Sequence, residues 1–172
     1  RMPAWGYALG MVRLEPAALA DLAHRDRGRI KAEAVREFLR GMSKSELAAS
    51  CQAYADAVWG QMIRPDAEQC WRDWQARRAT VVIVTASPVE VVGPFAERLG
   101  ADELIGTRLA YDADERVTGA LDGPNCRGEE KVTRLRARFG QDMKLAAAYG
   151  DTAGDREMIA IAQEKGFRVF HR

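Results

Sequence analysis

The sequence is short of several things, and each shortage removes a class of explanation. Its three cysteines, Cys51, Cys70 and Cys126, are odd in number and form no C-x-x-C. That argues against a disulfide frame or a cysteine zinc site and suits the reduced thiols of a cytoplasmic protein. No apolar run approaches the roughly 18 residues of a membrane span, and no charged-then-apolar leader opens the chain. Net charge is +1, so no broad field calls for nucleic acid or a strongly acidic partner. Repeats and low-complexity tracts are absent. What remains, 172 residues of which 47% are hydrophobic, fits one ordinary domain or a small core carrying an insertion. The first residue is Arg1 rather than Met, so we expect the natural protein to start further upstream.

The chain has two halves with different periods. Up to about residue 78 the patterns are helical. Trp5, Tyr7 and Met11 read as helix core, and the basic stretch 24–31 as a solvated helix start or loop. Val35, Phe38 and Leu39 mark one apolar face, Leu47, Cys51, Tyr54, Ala55 and Val58 a second, and Trp71 with Trp74 a third after Pro65. Ser43 and Glu46 have capping-box spacing ahead of the second. From Thr80 the pattern changes. Val81-Val82-Ile83-Val84 predicts a parallel strand buried on both faces. The series continues with a helix over 88–99, strands over 104–111 and 117–121 joined by a polar turn, and a helix over 129–139. A strand over 145–149, a helix from about 155 and a last strand over 167–170 complete it. Strands alternating with helices predict an α/β fold with a doubly wound, Rossmann-like parallel sheet.

The chemistry concentrates in Gly150-Asp151-Thr152-Ala153-Gly154-Asp155, where an apolar run stops at a glycine and two acids follow four residues apart. Open α/β sheets keep ligands at the carboxyl ends of their strands. Two hard oxygen donors there suit Mg²⁺ and a phosphate better than zinc or iron. Thr85 ends the 81–84 run; its hydroxyl and the amide of Ala86, at a helix start, suit a phosphate. Ser87 is placed to be an N-cap, with Pro88 at the first helical position and Glu90 closing a capping box. Lys131 stands in a first helical turn, where it opposes the helix dipole unless an anion meets it.

The order of these segments resembles the haloacid dehalogenase-like (HAD) phosphatases. The similarity lies in subfamily IB, the group that includes phosphoserine phosphatase. Val82-Ile83-Val84-Thr85-Ala86-Ser87 resembles the second motif of that family, Lys131 the third, and the 150–155 segment the fourth. Segments 105–109 and 119–126 are also similar. Thr85-Ala86-Ser87-Pro88 looks more like the branch containing bacterial phosphatidylglycerophosphate phosphatases. The resemblance implies a Mg²⁺-dependent phosphomonoester hydrolase acting on a small phosphometabolite or a lipid phosphate, with peripheral membrane contact open. Asp151 and Asp155 would then serve the metal. Thr85, Ala86, Ser87 and Lys131 would serve the phosphoryl group, with Arg127 as the alternative third-motif cation. Residues 1–66 would be a helical cap and 67–172 the core.

Family members attack with the first Asp of D-x-D-x-[TV], at the end of a first strand between the strands of the second and fourth motifs. This sequence has a single D-x-D, Asp112-Ala113-Asp114, with Arg116 where Thr or Val is needed, in a predicted turn. We therefore expect the first strand and the nucleophile to lie upstream of Arg1. The alternative is an inactive HAD-fold binding or regulatory protein. A receiver-like domain does not suit the helical insertion.

Overall fold

A computed structural model describes residues 33–171. The readings at Trp5, Tyr7 and Met11 and in the 24–31 basic stretch lie outside the described residues. A π-helical turn over Val35–Leu39 leads into α1 (Lys44–Met62). The capping box at its start is complete: Ser43 Oγ accepts from the Glu46 N–H, and the Glu46 carboxylate accepts from the Ser43 N–H. Leu47, Cys51 and Ala55 are buried on one face of α1. The far end of α1 rests on α3 (Val89–Leu99), where Trp59 stacks on Phe95 at 5.9 Å. α2 (Pro65–Ala76) starts on a proline, whose missing N–H costs nothing at that position. The indole of Trp71 donates to Leu99 O at the end of α3.

β1 (Val82–Pro88) pairs in parallel with β2 (Glu103–Thr107). β3 (Leu109–Tyr111) and β4 (Val117–Leu121) form an antiparallel hairpin. After α4 (Glu129–Phe139), β5 (Leu145–Gly150) pairs in parallel with β6 (Ala162–Phe167), through a short α5 (Arg156–Ala160). No ladder joins β1 to β5 among the described residues. Two apolar clusters result. One unites Ile105, Cys126, Leu135, Ala148, Met158 and Ile159 beneath the parallel strands. The other joins Val35, Leu47 and Cys51 to Leu109 and Val117, so the helical half rests on the hairpin.

Four expectations need correction. The strand 104–111 is two strands broken at Arg108, because its first half belongs to the parallel ladder and its second to the hairpin. The run 81–84 is only half-buried after Val81: β1 has one strand neighbour among the described residues. Ser87 is not an N-cap, because the ladder with β2 carries β1 on to Pro88 opposite Thr107 and α3 begins one residue later, with no side chain capping it. Glu90 accepts instead from the Tyr111 hydroxyl. The last strand is 162–167 rather than 167–170, with small residues at two of the positions where it meets β5. Ala162 pairs with Leu145, and a Cβ at Gly166 would collide with the Tyr149 ring.

Candidate functional site

Lys131 sits in the first turn of α4, and its side chain runs inward to the strand ends. Its ammonium donates to Asp155 Oδ1 at 2.6 Å and to the Val84 carbonyl at 2.7 Å. Both charged residues are buried, at 4% and 8% exposure, deep enough that either alone would be costly. The anion that the dipole argument required is Asp155. The other oxygen of Asp155 accepts from the N–H and the hydroxyl of Thr152, at 2.9 and 2.8 Å. Burial pushes its carboxyl pKa up, but hydrogen bonds from Lys131 and Thr152 outweigh that and hold it below the ordinary value.

The two glycines of the loop make this approach possible. A Cβ at Gly150 would stand 2.5 Å from Asp155 Cβ. One at Gly154 would stand 2.6 Å from Cγ of Arg127, whose side chain lies across that glycine. Gly154 O also accepts from the Gly128 N–H, which ties the start of α4 to the same loop. Thus Arg127 covers the loop from outside while Lys131 enters beneath it.

Asp151 is placed differently. It is exposed at the tip of β5, and its Oδ2 accepts from Arg64 Nη2 at 3.1 Å. Its backbone carbonyl accepts from Arg168 Nε at 3.0 Å. Arg64, Tyr149, Gly150, Asp151, Arg168, Val169 and Phe170 line a shallow pocket there. Thr85 lies on β1, one residue beyond the carbonyl that holds Lys131, and its Oγ1 accepts from the Ser87 N–H at 3.0 Å. Asp112 and Asp114 are exposed in the β3–β4 turn, where Asp112 Oδ1 accepts from the N–H groups of Asp114 and Arg116.

The structure therefore brings together Lys131, Asp155 and the end of β1, and it sets Asp151 on a separate partner. Sequence reasoning missed Arg64 and Thr107. Thr107 is fully buried, and its hydroxyl contacts Ala86 O at 2.7 Å, Asn125 Oδ1 at 2.9 Å and Cys126 N at 3.1 Å. It stitches the 85–88 segment to the loop before α4. A threonine following Leu104, Ile105 and Gly106 at the end of β2 was the available signal. Nothing local marks Arg64, whose partner lies 87 residues away.

The family model of the haloacid dehalogenase-like hydrolases matches residues 3–160, a span that takes in every motif just described. The chain belongs to that family. Protein CicA of Caulobacter vibrioides is 53% identical over 98% of this HAD chain and 75% of its own length. Phosphoserine phosphatase SerB1 of Mycobacterium tuberculosis is 30% identical over 78% of the chain and 43% of its own. A solved structure of a protein of unknown function from Bordetella pertussis Tohama I superposes with a TM-score of 0.70 at 24% identity, covering 82% of this chain. The HAD chain spans just under two thirds of that structure, at 65%. That likeness shows the α/β fold with its parallel strands and flanking helices.

Proposed function

We propose that this chain carries most of a Mg²⁺-dependent phosphomonoesterase, a hydrolase working through an aspartyl-phosphate. The observation that carries the reading is the buried Lys131–Asp155 pair at the ends of β1 and β5. A lysine ammonium has three donors, and two of them are spent on Asp155 and Val84. Among the described residues the third has no partner and would meet a phosphoryl oxygen, and a cation fixed in advance stabilises charge that spreads over that group. The Thr85 oxygen accepts from Ser87, so its own proton is free to reach the same group, with Ala86 and Ser87 beside it.

Asp151 fits a hard cation on one side. Its Oδ1 has no partner among the described residues, its carboxylate is half exposed, and Mg²⁺ is held by one or two carboxylates in sites of this kind. No group of three His, Cys, Asp or Glu gathers among the described residues, so Asp151 would share the ion with ligands from elsewhere. Both oxygens of Asp155 are taken, which favours an indirect role for it, holding Lys131. Mg²⁺ would screen the attacking carboxylate from the phosphate.

The attacking carboxylate and its acid partner would come from an upstream strand entering between β1 and β5. The unjoined ladders and the engaged, turn-bound Asp112 support this. Carboxylate attack at phosphorus forms the acyl phosphate, the alcohol leaves with the partner's proton, and water then releases phosphate. Residues 1–66 would act as a cap over the core of 67–172. The relative named a phosphoserine phosphatase supports a phosphomonoester, either a small phosphometabolite or a lipid phosphate met peripherally. No described helix is long and apolar enough to cross a membrane. The three free thiols support a cytoplasmic setting.

The lack of any D-x-D-x-[TV] in these 172 residues favours a second reading, an inactive HAD-fold binding protein. Assay of the full-length protein on an aryl phosphate separates the two. We expect Mg²⁺-dependent release of phosphate, a loss on the order of 10²-fold or more in Lys131→Ala, and most activity kept in Arg127→Ala. Phosphate binding without turnover on any phosphomonoester would select the second reading.

A further inference from the structure

Arg64 lies between α1 and α2, the N-cap residue of α2, yet its guanidinium reaches the tip of β5. There Nη2 meets Asp151 Oδ2 at 3.1 Å and Nη1 meets Phe170 O at 3.4 Å. The backbone of that tip is fixed by other means. The Arg168 N–H donates to Gly150 O and its Nε to Asp151 O, while Arg168 itself holds a left-handed φ of 55°. An L residue keeps that conformation only when its surroundings impose it. Arg64 is thus not needed to hold the strand end in place. What it supplies is positive charge against a half-exposed carboxylate.

We infer that Arg64 is an internal counter-ion that competes with a divalent cation for Asp151, so that cation binding releases one of the two ties between the α1–α2 junction and the strand tip, the other being Asp66 Oδ2, which accepts from the His171 N–H at 2.7 Å. The inference rests on the reading of Asp151 as a cation ligand. A guanidinium at 3.1 Å and a divalent ion on the same carboxylate repel each other, so each weakens the other's hold. Arg64 can give way, because its side chain is one-third exposed and its other contact, at 3.4 Å, is long. The sign of its effect separates this role from a structural one. A residue that merely oriented Asp151 would weaken cation binding when lost, whereas a competitor strengthens it.

Calorimetric titration of the full-length protein with Mg²⁺ alone, without substrate, tests this. Arg64→Gln is expected to bind Mg²⁺ about two- to fivefold more tightly, the scale of a partly exposed ion pair. Arg64→Lys, which keeps the charge, is expected to stay within about twofold of the parent. Hydrogen exchange at residues 62–64 should quicken when Mg²⁺ is added to the parent and be fast from the start in Arg64→Gln. Unchanged or weaker Mg²⁺ binding in Arg64→Gln overturns the inference, provided that Asp151→Asn abolishes binding. If Asp151→Asn binds Mg²⁺ like the parent, the cation-ligand reading of Asp151 falls, and the inference with it.

Discussion

Asp151 and Asp155 come from one short loop, and the fold treats them oppositely. Asp155 is buried, meets a lysine at 2.6 Å and has three donors on its two oxygens. Asp151, four residues earlier, is half exposed and keeps one oxygen without a partner among the described residues. The three-residue 3₁₀ turn over Ala153–Asp155 separates them, turning the second acid inward while the first stays at the strand tip. One loop therefore supplies a buried, paired charge and a half-exposed one. Under the proposed function these divide the work, the first fixing the lysine and the second left open for a ligand that comes and goes.

Removing one partner from each pair should expose the difference. The largest effect is expected for Lys131→Ala, which strands a buried carboxylate. Denaturant unfolding should show about 3–5 kcal/mol of destabilisation. A loss under 1 kcal/mol would mean that water reaches Asp155, and the contrast would collapse.

An intermediate effect is expected from pH. The carboxyl of Asp155 is held below its unfolded value, so its contribution to stability is present above the ordinary carboxylate range. That contribution disappears as pH falls through the folded value. In Lys131→Ala, burial dominates and raises the carboxyl instead, so acidification toward about pH 4 should stabilise the variant relative to the parent. Parallel pH profiles in melting experiments would contradict this.

The smallest effect on stability is expected for Asp151→Asn, under about 1 kcal/mol, as for other exposed pairs. The same variant should nonetheless lose Mg²⁺ binding. A large loss of stability would make Asp151 structural, like its neighbour.

Much of this was legible because it is local. The Ser43–Glu46 capping box, the hairpin turn and α4 depend on residues within a few positions of one another, and all three fall where periodicity and turn chemistry put them. The order of strand tips also pointed to Lys131 and Asp155, which the fold brings into contact. The misreadings share a tertiary cause. Ser87-Pro88-Val89-Glu90 has the spacing of a capping box, but pairing with Thr107 extends the strand through it. The run 167–170 is more apolar than 162–166, yet Gly166, where a Cβ would meet the Tyr149 ring, lets the earlier segment pair with β5. The Arg64–Asp151 contact and the Trp74 indole on the Tyr149 hydroxyl join segments more than seventy residues apart, which no window on the sequence spans.

The Lys131–Asp155 contact also constrains how this chain can change over generations. Losing either residue alone leaves an ion stranded where solvent cannot relieve it, so single substitutions at the two positions are each penalised while a joint replacement need not be. The two codons are therefore bound together: a lineage can abandon the pair only by crossing an unstable intermediate. Asp151 carries no such bond, and drift can sample that position one step at a time wherever its ligand is not required.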